Sequence, residues 1–269
     1  MRHPVITLTT DFGVADHYVG TMKGVILGIA PGARIVDISH EVRPFEIADG
    51  AYVIAQAARY FPAKSIHVVV VDPGVGSARR PILAEVEGRY FVAPDNGVLS
   101  MIFESLPPSS DKVRHITAER YFLKDVSSTF HGRDIFAPVA AHLATGLAAA
   151  ELGPEIDPAG LVRLEIPRPR ATRRGLRAAA VLIDRFGNVA LNLDADRLEA
   201  AKLGDPIELL CGGERYLARL ARSFVEVRPS DIMVLVDSYG QIAVAVNTGS
   251  AEEVLGLTPG DLVELRRLS

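Results

Sequence analysis

The segment Asp72-Pro73-Gly74-Val75-Gly76-Ser77-Ala78-Arg79-Arg80 sets a carboxylate at the end of an apolar run, then two glycines and two arginines. Loops at strand ends are where catalytic groups gather, and glycine permits a positive φ and close approach of the backbone to a ligand. It is not a phosphate loop, because the lysine of G-x-x-x-x-G-K-[ST] is missing. The plainer alternative is a turn carrying an Asp–Arg surface pair. Phe130-His131-Gly132-Arg133-Asp134 places an isolated histidine just ahead of a helical pattern. Histidine is the side chain best suited to exchange a proton near neutral pH; a structural histidine is the alternative. Asp11, in Thr9-Thr10-Asp11-Phe12-Gly13, follows an apolar strand. Its carboxylate can accept two hydrogen bonds from a ribose diol, or can cap a turn. Asp184-Arg185-Phe186-Gly187-Asn188 interrupts a strand pattern with polar groups, an aromatic and a glycine, and serves equally as a hairpin turn. Phe224 and Asp237-Ser238-Tyr239-Gly240 are compatible with ordinary β-domain turns, and Pro94 to Leu99 with a turn that starts a helix.

The elements that must position these residues change character along the chain. Val5 to Thr9, Arg34 to Ile38 and Ile66 to Asp72 read as strands. Between them Val19, Met22, Val25, Ile26 and Ile29, then Ile47, Ala51, Ile54, Ala55 and Ala58, recur at helical spacing. The run from Ile66 is almost continuously apolar, as in a strand covered on both faces. Ile82 to Val86 and Tyr90 to Ala93 form a hairpin pattern, and Phe136 to Leu147 a closing helix. Residues 1–165 are therefore expected to be an α/β domain. Residues 166–175, rich in proline and arginine, have the composition of a linker. From Leu176 the pattern turns to short strands with Gly-rich turns: 176–183, 188–191, 206–210, 215–220, 232–236 and 242–246. Residues 176–269 are expected to form an all-β, barrel-like domain.

Composition narrows the partners. In 269 residues, 29 basic against 33 acidic side chains and no basic run beyond Arg168 to Arg177 leave no footprint for nucleic acid. A hydrophobic content of 48% fills two cores, yet no apolar stretch reaches bilayer-crossing length. A single cysteine, Cys211, and the lack of a secretory pattern point to the cytoplasm.

Taken together, the segments TTDFG, VDPGVGSARR, FHGRD and DRFGN resemble the S-adenosylmethionine (SAM) hydroxide adenosyltransferases, the adenosine-forming SAM hydrolases related to the SAM-dependent fluorinase and chlorinase. The resemblance runs over nearly the whole chain. It implies that Asp72, Arg79 and His131 hold an attacking water, and that water rather than halide is the nucleophile, since the fluorinase has other residue types at the Asp and His places. It further implies that Asp11 binds the ribose hydroxyls and that Phe45 and Phe130 lie near them. Asp184, Phe186 and Asn188 would contact the methionine part or the adenine, Phe224 would stack on the base, and Ser238 would meet the amino-acid end. The implied fold is an α/β domain plus a β-barrel, in a homotrimer whose sites lie between one subunit's first domain and its neighbour's second. This sequence departs from the fluorinase at Ala190, where that enzyme has tryptophan, at Val246, where it has arginine, and in lacking its long insertion, reduced here to Glu87-Gly88-Arg89.

The chemistry implied is simple. SAM is a sulfonium, so methionine leaves as a neutral thioether and neither a metal nor a cofactor is expected. Arg79 would stabilise hydroxide character on the water, His131 would take its proton, and Asp72 would orient the pair. Three other readings use the same residues: a SAM-dependent halogenase, a non-catalytic SAM or adenosine binder, and a metal-dependent phosphoesterase built on Asp11, Asp16, His17, Asp72, Asp95 and His131. The last lacks any paired-ligand spacing.

Overall fold

The computed structural model describes residues 3–105 and 112–268, and the chain divides into two compact units between Leu164 and Glu165. The first is α/β. Its strands β1 (Val5–Thr10), β2 (Arg34–Ser39), β3 (Ile66–Val70), β4 (Pro81–Val86), β5 (Arg89–Pro94) and β6 (Val113–His115) form one sheet in the order β2-β1-β3-β5-β4-β6. β1 pairs in parallel with β2 and β3, and β3 with β5, while β4 pairs antiparallel with both β5 and the edge strand β6. Helices α1 (Tyr18–Ile29) and α2 (Ile47–Ala58) make the two crossovers. The chain leaves β1 to one side for β2 and returns past it for β3, so the strand order reverses between β1 and β3. Open α/β sheets bind ligands in the crevice beyond the strand ends at such a point. The apolar alternation explains the packing: Ile6, Leu8, Val68 and Val70 face Met22 and Ile26 of α1, while Val69 and Val71 face Ile54 and Ala58 of α2.

Two boundaries differ from the sequence reading. β3 ends at Val70, and Asp72 already belongs to a turn in which its carbonyl accepts from the Val75 N–H at 3.1 Å. The helix expected from Phe136 begins earlier, as a π-helical turn over Gly132–Phe136, and continues as α4 (Ala137–Ala144) to the positive-φ Gly146; a short α3 (Ser100–Ser105) precedes it. A π turn leaves a helix locally irregular and is frequent at functional sites.

The second unit is a closed barrel. Strands β8 (Gly175–Ile183), β9 (Val189–Asp194), β10 (Ile207–Cys211), β11 (Glu214–Leu220), β12 (Ile232–Val236), β13 (Gln241–Val246) and β14 (Leu262–Arg267) run in the order β14-β10-β11-β12-β13-β9-β8, and β8 pairs back onto β14. Alternate residues fill the interior, among them Leu176, Ala178, Val189, Leu191, Ile242, Val244 and Leu265. β8 closes the ring by serving two neighbours, β14 from Gly175 to Ala179 and β9 from Ala180 onward, with a register shift at the change. A Cβ at Gly175 would overlap the Leu265 carbonyl, so the close pairing there requires glycine. The segment 166–175 does not behave as linker throughout: Arg170–Ala171 form a short strand, β7, on β8, and Gly175 opens β8 itself. Helices α5 (Ala195–Ala201) and α6 (Ala251–Leu255) complete the unit. Among the described residues no helix is long and apolar enough to cross a membrane.

Candidate active site

Asp11 and Asp72 leave the sheet from adjacent strand ends, because Thr10 of β1 is paired with Val70 of β3. The loop after Asp72 folds back through two tight turns, so that Arg79 returns onto the carboxylate. Its Nε donates to Asp72 Oδ1 at 2.8 Å and Oδ2 at 2.9 Å, and its Nη2 donates to Oδ2. Both side chains are almost wholly buried, at 8% and 3% exposure. The Arg79 guanidinium also stands 5.4 Å from the Phe136 ring centre. Gly76 makes the fold-back possible: its φ is +78°, and a Cβ there would overlap the Ser128 carbonyl of the loop before His131.

The same Nη2 lies 2.8 Å from His131 Nδ1. A guanidinium has no acceptor, so Nδ1 accepts and the neutral ring carries its hydrogen on Nε2. Burial, followed by the Arg79 charge, pushes the His131 pKa below its ordinary value against the opposing influence of Asp72 and Asp134, which favours that neutral form. Arg79 is therefore the centre of the triad, bridging Asp72 to His131. As the groups stand, the Nδ1 lone pair is occupied by Arg79, so His131 does not have a free basic nitrogen.

Asp11 is tied to Phe45, whose backbone N–H donates to Asp11 Oδ2 at 2.9 Å. Phe45 has φ +70° and its side chain is 71% exposed. A bulky residue in the left-handed region is uncommon and strained, and such strain gathers at ligand sites. Burial raises the Asp11 pKa, the Phe45 and Asp11 amides lower it, and the Asp72 charge raises it further. Phe130, 8% exposed, packs edge-on to Phe12 and Tyr18 at 5.8 and 5.1 Å. It belongs to the core of the unit rather than presenting a free face.

In the barrel, Asp184 organises its own turn. Oδ1 accepts from the Phe186 and Asn188 amides at 2.8 and 3.0 Å, and Oδ2 accepts from Asn188 Nδ2 at 2.9 Å. Phe186 is left 72% exposed at the tip, and Phe224 is 41% exposed in a short 3-10 turn. The Phe224 connection lies at the same barrel end, since Ser230 and Val227 bond to Asn247 while Gly187 bonds to Glu252. Ser238 is at the other end. Asp194 pairs with Gln241 and Val189 with Val244, so the Asp237–Gly240 turn lies beyond the far end of β9. Five strand residues separate the two levels, about 17 Å, and only an elongated ligand lying along β9 and β13 touches both. Val246, one of the departures from the fluorinase pattern, points into the barrel core at 3% exposure.

Two residues gain a role that the sequence did not single out. Asp134, wholly buried, accepts from the Ser127 amide and hydroxyl at 2.9 and 2.8 Å and from Arg133, fixing the loop that carries His131. Burial alone would raise its pKa, but these bonds prevail and hold it below the usual carboxylate range. His40 receives or gives a hydrogen bond to Thr10 Oγ1 at 2.8 Å, directly under Asp11, and stands 3.0 Å from Asp37. Asp134 lay inside the FHGRD segment and was legible as part of it, whereas His40 carried no local signal. The alternative metal-binding set does not assemble: Asp95 is held by Arg80 and the Val162 amide, and among the described residues no group of three or more His, Cys, Asp or Glu converges.

Comparison with known proteins follows the same division. Residues 6–153 match the model of the SAM hydroxide adenosyltransferase N-terminal domain, and residues 178–264 that of its C-terminal domain. A relative from Salinispora tropica, named (R)-S-adenosyl-L-methionine hydrolase, is 43% identical over 96% of each chain. A fluorinase from an Actinoplanes species is 27% identical over 91% of each. Among solved structures, an uncharacterised conserved protein from Thermotoga maritima, 37% identical, superposes with a TM-score of 0.91 over 97% of this chain and 100% of its own. On these matches and this architecture, the chain belongs to the SAM hydroxide adenosyltransferase family.

Proposed function

We propose that the protein hydrolyses S-adenosyl-L-methionine to adenosine and L-methionine by attack of water on the 5′ carbon. The observation that carries this reading is the buried Asp72–Arg79–His131 chain beside Asp11, at the crevice where the strand order reverses. In the proposed reaction a water takes the place of the direct Arg79–His131 contact. Its oxygen accepts from Arg79 Nη2, and it donates one hydrogen to His131 Nδ1. As the C5′–O bond forms, the C5′–S bond breaks, its electron pair stays on sulfur, and the proton passes to Nδ1. Asp72 keeps the guanidinium aligned and balances its charge. Held in line, water gains through proximity what it lacks in nucleophilicity. Asp11 accepts the two ribose hydroxyls, with Phe45 and Phe130 beside them. Asp184, Phe186, Asn188 and Phe224 take the adenine and the near part of the methionine, and Ser238 takes the amino-acid end.

The reaction needs neither a metal nor a cofactor, since the leaving group is neutral. A homotrimer is part of the proposal, because exposed Phe45 on one unit and exposed Phe186 and Phe224 on the other gain a covering surface when sites form between subunits. The cytoplasm is the compartment proposed, in keeping with a single, buried, unpaired Cys211. In oxygen-18 water the label is expected in the adenosine 5′-hydroxyl, with turnover unaffected by a chelator. Release of adenine, formation of methylthioadenosine, or a halogenated nucleoside in chloride would each refute the reading. A monomer with full activity by light scattering would refute the shared site.

A further inference from the structure

The segment from Pro94 to Leu99 has no part in the reaction as proposed above, yet it grips both flanks of the loop that carries Asp72 and Arg79. β3 and β5 are paired as far as Val68 and Val92, and Pro94, at the end of β5, has no N–H to offer. The carbonyl of Val71, a wholly buried residue just past β3, accepts instead from Asn96 Nδ2 at 2.8 Å. Asn96 Oδ1 in turn accepts from the Val98 amide at 3.1 Å, which sets the direction of the side-chain amide. Its neighbour Asp95 holds the other flank. The Asp95 amide donates to the Arg80 carbonyl at 2.8 Å, and Asp95 Oδ2 accepts from Arg80 Nε at 2.9 Å and Nη2 at 2.5 Å. The Asp95 side chain is itself anchored, buried and with Oδ1 accepting from the Val162 amide at 3.0 Å. Arg80 also donates to the Gly160 carbonyl at 2.8 Å.

Val71 precedes Asp72 and Arg80 follows Arg79, so the adjacent residues Asp95 and Asn96 set how far apart the two ends of the loop stand. The hydrogen bonds along the loop backbone join near neighbours: the Val75 amide to the Asp72 carbonyl, the Ser77 amide to the Gly74 carbonyl, and the Arg79 amide to the Ser77 hydroxyl. Such turns curl the chain without deciding where its ends lie. The loop also offers Asp72 two consecutive arginines. Asp95 engages Arg80, and Arg79 is the one that faces Asp72. We propose that Asp95 and Asn96 are positioning residues for the reaction, holding Asp72 and Arg79 at the separation that keeps Arg79 Nη2 on the attacking water. This inference rests on the hydrolysis proposed above.

The test compares Asn96→Ala and Asp95→Asn with Ser100→Ala in the full chain. Ser100→Ala also deletes a side-chain bond to the backbone, the one from the Leu164 amide at 2.9 Å, but its partner lies outside the loop. Thermal unfolding should place Asn96→Ala and Ser100→Ala close together. For adenosine release from SAM, Asn96→Ala should lower kcat about 10–100-fold as the reacting groups lose alignment. KM, and adenosine affinity by calorimetry, should change little. Asp95→Asn should show the same split, and Ser100→Ala should keep the wild-type kcat. In the Arg79→Lys background Asn96→Ala should cost nothing more, because both changes act on one alignment. Asn96→Asp keeps the side chain's volume and its acceptor for the Val98 amide, and carries the same kcat test if the alanine variant does not fold. Unchanged kcat in the Asn96 variants, an equal kcat loss in Ser100→Ala, or losses that multiply with Arg79→Lys would overturn the inference and leave Asn96 as the partner of a buried carbonyl. Wild-type protein that releases no adenosine from SAM would overturn the proposed function and this inference with it, whereas an active wild type with unaffected Asn96 variants overturns the inference alone.

Discussion

Arg79 joins Asp72 to His131 through one planar group, so replacing it by a lysine or a methionine separates charge from geometry. Arg79→Lys keeps a cation beside Asp72 but cannot present Nε and Nη2 in a fork, nor reach His131 Nδ1 from the same atom. Charge-assisted bonds contribute about 1.5–3 kcal/mol each, and the ammonium recovers some of them, so a net stability loss of about 1–3 kcal/mol is expected. Arg79→Met leaves the Asp72 carboxylate buried and unpaired, which costs about 3–5 kcal/mol. Urea denaturation should therefore rank wild type above the lysine variant and the lysine variant above methionine. Turnover, followed as adenosine released on a column, should fall about 10²–10³-fold in both, the usual effect of deleting one preorganised donor, with KM changing far less. The pH profile adds a separate check. Burial and the Arg79 charge hold the His131 pKa below the ordinary 6.5. The stability that neutral His131 contributes is thus complete above 6.5 and is lost as pH falls through that value toward the lowered one. Removing the Arg79 charge moves the pKa back up, so the acid limb of kcat in the methionine variant should shift to higher pH. Full activity in Arg79→Lys, or an acid limb that stays in place in Arg79→Met, would refute this account of the triad.

Phe45→Gly should relieve a left-handed backbone strain of about 1 kcal/mol, holding or raising Tm while weakening SAM binding measured by calorimetry. Asp11→Asn should weaken adenosine and SAM alike by at least about tenfold; because the Asp11 pKa is raised, wild-type affinity should already decline on acidification above the ordinary carboxylate range. Gly76→Ala should destabilise the protein and lower kcat together, through strain at φ +78° and collision with the Ser128 carbonyl, as read by thermal unfolding and initial rates. Asp134→Asn should cost about 1–3 kcal/mol, mainly from the weakened Ser127 bonds because the Arg133 guanidinium left behind reaches solvent, and should reduce kcat through His131 with little change in adenosine affinity.

Most of the elements were legible in the sequence because local pattern carries them, whereas the crevice residues were singled out together only through the family resemblance. Apolar periodicity located α1 and α2 and the strands that follow them, since a helix or strand buries one face at a fixed repeat. The TTDFG, VDPGVGSARR and FHGRD segments pointed to one site only through that resemblance, since each by itself served equally as a turn or a structural residue. The edge strand β6, the helices α5 and α6 and the closing strand β14 carried weaker signals, and the sequence reading passed over them. Leu262–Arg267 alternates apolar with charged residues at the end of the chain, and only its pairing with both β8 and β10 turns that alternation into barrel closure. The register of β9 on β13, which sets Ser238 at the opposite end from Asp184, is likewise a pairing between segments far apart in sequence. Tertiary structure also decided the chemistry within the triad. Sequence supplied an Asp, an Arg and a His, but that Arg79 occupies Nδ1, and so leaves the hydrogen on Nε2, depends on two loops being pressed together at Gly76 and Ser128. Residue types and local spacing set which groups are available, and long-range pairing sets which lone pair faces which proton.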